Sequence, residues 1–187
     1  RIAMKERHPA PQPGKATFST GSFGPLGTVR RGPVVSECSA SHPFGEKGQF
    51  TTRIRLYAGL RRIEFRTKIL NNDRFVRYRL LFPTSIPNGE SIHDIPFGAI
   101  RRPLGIEFPA QNWVDYGNGG RGIALLNRGL PGNDVADGTM MLSLLRCTRI
   151  VAYGFGGGYE PGMTSDSGFQ LGKELTFDYA LVPHWGD

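Results

Sequence analysis

Apolar and polar residues alternate along much of this chain with a period of two, and no stretch sustains the 3.6-residue period of a helix. In residues 50–57, Phe50, Thr52, Ile54 and Leu56 fall on one face and Thr51, Arg53, Arg55 and Tyr57 on the other. Ala58-Gly59 reads as a turn. Residues 60–70 then repeat the pattern, with Ile63, Phe65, Thr67 and Ile69 opposed to Arg62, Glu64, Arg66 and Lys68. The two runs predict an antiparallel hairpin with one apolar and one charged face. After a second turn signal, Asn71-Asn72-Asp73, residues 75–83 predict a third strand that completes a meander, with Arg77 and Arg79 pointing the same way.

Further along, residues 122–127 and 139–146 are nearly continuous apolar runs, which predicts strands buried on both faces. Between them, residues 128–138 read as a loop. Residues 152–172 are glycine-rich, carry Ser165 and Ser167, and predict a long excursion before a last strand at 174–182. At the other end, prolines at alternate positions in His8-Pro9-Ala10-Pro11-Gln12-Pro13-Gly14 deny both helix and ladder bonding, so residues 1–14 read as an extended linker. No segment commits to a long helix, and the expected class is all-β.

Composition agrees. A length of 187 residues suits about one domain. The 26 Gly and 14 Pro supply turns, while 39% hydrophobic and 11% aromatic residues exclude a disordered tail. The net charge of +7 is carried by 18 Arg and 5 Lys, and it raises nucleic acid, a membrane surface or an acidic partner as candidates. Arg53, Arg55, Arg62, Arg66, Arg77 and Arg79 are expected on one basic sheet face. That face offers Tyr57 and little else for bases to stack on, and Glu64 interrupts it, so a solvated or domain-docked surface is favoured over a nucleic-acid footprint.

Cys38 and Cys147 lie far apart, and isolated thiols in a reducing compartment are favoured over a single disulfide. There is no Asn-x-Ser/Thr sequon, no apolar run near the roughly 18 residues a membrane helix needs, and no signal-peptide pattern in the first thirty residues. The expected address is the cytoplasm. Arg1 is no initiator, and the chain reads as a piece of a longer polypeptide.

Chemistry is sparse. His8, His42, His93 and His184 show no metal-ligand spacing, and no G-x-S-x-G elbow occurs. Gly154-Phe155-Gly156-Gly157-Gly158 lacks the trailing Lys-Ser/Thr of a phosphate loop and the last glycine of a dinucleotide fingerprint. Asp115, Asp134, Asp137, Asp166 and Asp178 are the carboxylates to weigh for a glycosidase pair, which needs two of them facing each other, but turn and capping roles are favoured.

Four segments then point to a family. They are His93-Asp94-Ile95-Pro96-Phe97-Gly98-Ala99-Ile100-Arg101-Arg102-Pro103 with Phe108-Pro109-Ala110-Gln111-Asn112-Trp113-Val114-Asp115; Gly119-Gly120-Arg121-Gly122-Ile123-Ala124-Leu125-Leu126-Asn127-Arg128-Gly129-Leu130-Pro131; Leu142-Ser143-Leu144-Leu145-Arg146 after the Gly138 turn; and Phe177-Asp178-Tyr179-Ala180-Leu181-Val182-Pro183-His184. In order and spacing they resemble the C-terminal half of glycoside hydrolase family 38, the α-mannosidases, with Asn-Arg-Gly-Leu-Pro closest to the bacterial form.

The resemblance implies an antiparallel super-sandwich of the galactose-mutarotase-like type, with residues 15–187 forming part of that C-terminal domain, incomplete because both ends look cut. It implies a parent that hydrolyses terminal α-mannosides with retention, through a covalent glycosyl-enzyme. Its carboxylate nucleophile and its zinc, with His and Asp ligands, belong to an N-terminal α/β domain, so no catalytic or metal-binding residue and no cofactor falls in this chain. The partners implied are the α-mannoside and that catalytic domain, with no nucleic acid and no membrane; a homo-oligomer is left open. By similarity, the loop Asp115 to Arg121 reaches the sugar site, which makes Arg121, Asp115 and Tyr116 the substrate-rim candidates, with Trp113 and Tyr116 as stacking rings or core aromatics. The rival readings are a stand-alone carbohydrate-binding module and a basic nucleic-acid-binding β domain.

Overall fold

The computed structural model describes residues 16–21, 27–44, 47–149 and 165–186. The linker expected at residues 1–14, the Gly154–Gly158 segment and most of the glycine-rich excursion lie outside the described residues. Among the described residues the strands are β1 (Val29–Arg31), β2 (Val35–Phe44), β3 (Gly48–Tyr57), β4 (Ile63–Asn71), β5 (Val76–Pro83), β6 (Glu90–Ile95), β7 (Gly98–Arg102), β8 (Phe108–Pro109), β9 (Trp113–Gly117), β10 (Gly122–Leu126), β11 (Gly132–Ala136), β12 (Thr139–Cys147) and β13 (Lys173–His184). Two 3-10 turns, Ser19–Gly21 and Asp166–Phe169, are the helical elements described.

Two antiparallel sheets form. The larger runs β1-β2-β3-β4-β13-β10-β9-β6-β7, and the smaller β5-β12-β11-β8. Period-two alternation turns one face of each sheet inward, and those faces meet in the core. Ile69, Val114, Tyr116, Leu125 and Tyr179 come from the large sheet, and Tyr78, Val135, Met140 and Leu142 from the small one. Phe82 of β5 spans the two layers, its ring 5.9 Å from Phe65 and 6.0 Å from Tyr179, which themselves stack at 5.1 Å. Each such side chain removed from water contributes roughly 1.5–3 kcal/mol. Thr67 bonds the Tyr179 hydroxyl at 2.7 Å and Thr52 at 3.0 Å, so these three hydroxyls under the large sheet satisfy one another.

The predicted hairpin forms, with β3 and β4 in register from Gln49↔Leu70 to Leu56↔Ile63. The predicted meander does not. After β4 the chain turns at Asn71, whose amide donates to Phe169 O and Asp73 O while its carbonyl accepts from Tyr78 Oη. Phe75 sits in the left-handed region (φ 57°), and β5 is carried into the second sheet. The place beside β4 goes instead to β13, in register from Lys173↔Asn71 to Leu181↔Ile63. The six expected arginines are therefore divided between two surfaces, with Arg77 and Arg79 on the small sheet.

Two further expectations change. Burial in β12 alternates, with Met140, Leu142 and Leu144 buried and Met141, Ser143 and Leu145 half-buried, because the sandwich covers one face of each sheet. The loop expected at 128–138 contains β11, which returns along β12 through the tight turn Asp137-Gly138, where both residues have positive φ (48° and 70°) as a two-residue hairpin requires. Both cysteines are free, and burial pushes the Cys147 thiol up to about 11.

On the outer face of the small sheet, three guanidinium groups close on one carboxylate. Arg79 Nη2 lies 2.6 Å and Arg146 Nη2 3.0 Å from Glu107, Arg77 bonds the same group, and Ser143 Oγ donates to it at 3.0 Å. Burial, together with the charges of Arg79 and Arg146, lowers the pKa of Arg77 to about 10. Glu107 thus ties the segment before β8 to β5 and β12. Glu107→Gln, which leaves three cations facing one another, is expected to cost about 1–3 kcal/mol. A thermal melt checks this, with a fall in Tm of roughly 2–4 °C per kcal/mol.

Candidate functional site

Arg121, Asp115 and Tyr116 lie near the β9-β10 turn but do not converge: Asp115 and Tyr116 project to opposite faces of β9, and each of the three is held by a different device. Asp115 and Tyr116 lie in β9 rather than in a loop, while Asn118 to Arg121 form the turn into β10. That turn is stapled by the Asn118 side chain, whose Oδ1 accepts from the backbone N–H of Gly120 and Arg121 at 3.2 Å each, an Asx arrangement. The exposed Arg121 side chain reaches back and donates from Nη2 to Ser85 O at 2.8 Å.

Tyr116 is 2% exposed, and its ring is enclosed in the core. Its hydroxyl donates to Ile86 O and accepts from Gly89 N–H, both at 3.3 Å. A Cβ on Gly89 would stand 2.6 Å from the Tyr116 ring, so only glycine lets the chain pass there. Of the two readings for this tyrosine, the core one is realised, and its ring has no face free for stacking. Trp113 is half-buried, on the outward-facing side of β9.

Asp115 pairs with His184 of β13, Nε2 to Oδ2 at 2.7 Å, and His184 Nδ1 faces Gly186 O at 3.0 Å. Both strands are neighbours of β10, and Gly122 of β10 is the residue directly opposite His184. The imidazole lies across Gly122 to reach Asp115. A Cβ at position 122 would run into the His184 ring, so the Asp115–His184 pair requires glycine beneath it. On the opposite, Tyr116 side of β9 lies an open groove of about 750 Å³, formed by residues 83–89, Tyr116, Leu104 and the 136–139 hairpin turn. Ser85 (φ 55°), Asn88 (φ 51°) and Asp137 (φ 48°) line it with non-glycine backbone in the left-handed region. Asn and Asp adopt this region readily, Asp137 as its hairpin turn requires, so Ser85 is the unusual one.

The other weighed carboxylates have separate partners. Asp178 takes a bidentate bond from Arg66 at 2.6 and 2.9 Å, which holds its carboxyl below the usual range. Asp166 pairs with Arg149 at 2.7 Å, Asp137 occupies a hairpin turn, and Asp134 is buried at 8% exposure. His184 and the 84–89 loop were not singled out from the sequence. Asp115 and His184 are 69 positions apart, a separation no local motif can register, and only the β9-β10-β13 pairing joins them.

Two antiparallel sheets packed face to face, with an open groove at one end, define a β-sandwich domain. Residues 11–149 match the family described as Glycosyl hydrolases family 38 C-terminal domain, and the chain belongs to that family. It is 26% identical over 175 residues to Alpha-mannosidase 2C1 from Homo sapiens and equally to that from Mus musculus, covering 89% of this chain and 15% of either relative. The fold is shared with a family 38 glycosyl hydrolase protein from Enterococcus faecalis (TM-score 0.78, 19% identity, 90% of this chain and 23% of that one). It is shared too with an alpha-mannosidase from Enterococcus faecalis V583 (TM-score 0.75, 20% identity, 88% of this chain and 22% of that one).

Gly122→Ala is expected to cost about 1–3 kcal/mol by forcing the imidazole off Asp115. Thermal unfolding of the single variant and of Gly122→Ala/His184→Ala checks this: the added alanine should cost less once the ring is gone, and equal costs would dismiss the clash.

Proposed function

We propose that this chain is the β-sandwich region of a retaining α-mannosidase, a structural and substrate-rim element that is inactive alone. The observation that carries the reading is membership of the family 38 C-terminal domain family, together with relatives that bear the name α-mannosidase. The chain spans 15% of those relatives, so the proposal concerns a larger parent. Its substrates are terminal α-mannosides of glycans or oligosaccharides, and its covalent partner is an N-terminal α/β catalytic domain. The parent is proposed to be cytoplasmic and to engage neither nucleic acid nor membrane, with self-association open.

The attacking carboxylate and the zinc are assigned to that catalytic domain. Among the described residues no group of three or more His, Cys, Asp or Glu is placed to hold a metal ion, so they do not fit zinc. No helix of the described residues is long and apolar enough to cross a membrane.

Within this reading the three rim residues do different things. Arg121 holds the 84–89 loop through Ser85 O and presents a cationic fork at the groove edge. Asp115, engaged by His184, anchors the strand end and is not offered as a nucleophile. Tyr116 supports Gly89 from beneath.

The isolated chain with added zinc is expected to release no measurable product from an aryl α-mannoside; turnover would place catalysis in this chain. In the full-length parent, Arg121→Ala is expected to lower kcat/KM roughly tenfold, about 1.4 kcal/mol of transition-state stabilisation. Steady-state kinetics with a disaccharide substrate checks this, and unchanged constants would take Arg121 off the rim.

A further inference from the structure

The outer face of the large sheet holds an open concavity of about 310 Å³ lined by five arginines together with Glu64, Asp178 and apolar residues, at the far end of β10 from the turn that carries Arg121. Arg53 and Arg55 come from β3, Arg62 and Arg66 from the β4 side, and Arg128 from beyond β10. Three carboxylates answer them. Glu37 accepts from Arg55 Nε at 2.6 Å, Glu64 from Arg62 at 2.5 Å, and Asp178 takes both bonds of Arg66.

Arg53 and Arg128 are the two left over. Arg53 comes no nearer than 3.5 Å to Glu37, and Arg128 no nearer than 4.0 Å to Asp178, each a carboxylate already bonded to another guanidinium. Five cations against three anions leave two positive charges uncompensated. The register sharpens the problem, because Arg53 stands directly opposite Arg66 in the β3-β4 ladder, an arrangement of like charges that is unfavourable by itself. The positive field is felt by its own acids: Asp178 is held low first by the Arg66 hydrogen bond and then by the charges of Arg66, Arg128 and Arg55.

Elsewhere the same chain gathers its arginines at short range on a single carboxylate. Arg77, Arg79 and Arg146 close on Glu107, one carboxylate serving three guanidinium groups. Arg53 and Arg128, by contrast, lie at longer range beside carboxylates whose short bonds go to Arg55 and Arg66.

We propose that this concavity binds a dianionic phosphate group, as free phosphate or a phosphate monoester, with Arg53 and Arg128 supplying the charge-assisted hydrogen bonds. Two uncompensated charges match the −1.5 to −2 of a phosphate near pH 7 better than the single charge of a carboxylate. The planar guanidinium fork fits phosphate oxygens. Glu37, Glu64 and Asp178 interrupt the face, so it offers one anion a seat and offers no continuous track for a nucleic-acid backbone.

The test is thermal unfolding of this chain against inorganic phosphate, with sodium chloride at matched ionic strength as the reference. A saturable rise in Tm beyond the chloride curve is expected, and Arg53→Gln/Arg128→Gln should weaken the apparent affinity at least tenfold. Arg101→Gln, whose pair with Glu90 lies on β6 and β7, should leave it unchanged. Should the double variant fold poorly by circular dichroism, Arg128→Gln alone, at a side chain 84% exposed, should still weaken affinity at least threefold. An equal response to glycerol 3-phosphate identifies a monoester site, and a response to phosphate alone identifies free phosphate. The proposal is overturned by the absence of any rise beyond chloride, by an undiminished rise in the variants, or by succinate matching phosphate.

Discussion

Strand β13 is the constraint on which the rest of this domain rests. It pairs with β4 on one side and with β10 on the other, and in the sheet order it is what joins the β1-β2-β3-β4 half to the β10-β9-β6-β7 half. Its register decides three things at once. Asp178 comes opposite Arg66, Tyr179 is set inward to stack on Phe65, and His184 comes opposite Gly122 within reach of Asp115. Because the side-chain period of a strand is two, a slip of one residue would turn Tyr179 outward and Asp178 into the core.

Around that strand the charge is arranged by layer. On the outer face of the large sheet, the cross-strand row Arg30, Glu37, Arg55, Glu64 alternates in sign across four strands. The next row places Arg53 beside Arg66 and loses the alternation. The small sheet solves a similar crowding of arginines with Glu107. Surface ion pairs of this kind contribute little to stability singly, so their arrangement bears more on what the surface can accept than on how firmly the domain folds.

The rim around Arg121 depends on packing more than on charge. Among the described residues, Gly89 and Gly122 are the two positions where a side chain would collide with a neighbouring ring, Tyr116 of the groove wall in one case and His184 in the other. The Asn127-Arg128-Gly129-Leu130-Pro131 segment is similarly mechanical. Leu130 N–H donates to Asn127 O across a turn with Gly129 at φ 73°, and the buried Asn127 amide donates to Ala110 O and Leu130 O as the chain passes from β10 to β11 in the other sheet. These residues direct the chain between layers, which is consistent with a domain whose proposed contribution to the enzyme is scaffold and rim.

What the sequence determined by itself was local. Period-two alternation identified β3, β4 and β5 to within a few residues, apolar runs marked β10 and β12, and the apolar face of the β3-β4 hairpin could be read directly, because burial on one side of a sheet writes itself into alternate positions. The family motifs were legible for the same reason, as turns and strands of fixed spacing. Short edge strands such as β1, β7 and β8 left too few residues for a pattern, and β11 was hidden by its own turn residues. Only the tertiary structure decided which strand lies beside which: that β5 leaves β4 for the second sheet, that β13 takes its place, and that the expected arginine face is two faces. Those choices are made by contacts between residues distant along the chain, such as Phe82 against Tyr179 and His184 against Asp115, and no local pattern encodes the partner of a strand face.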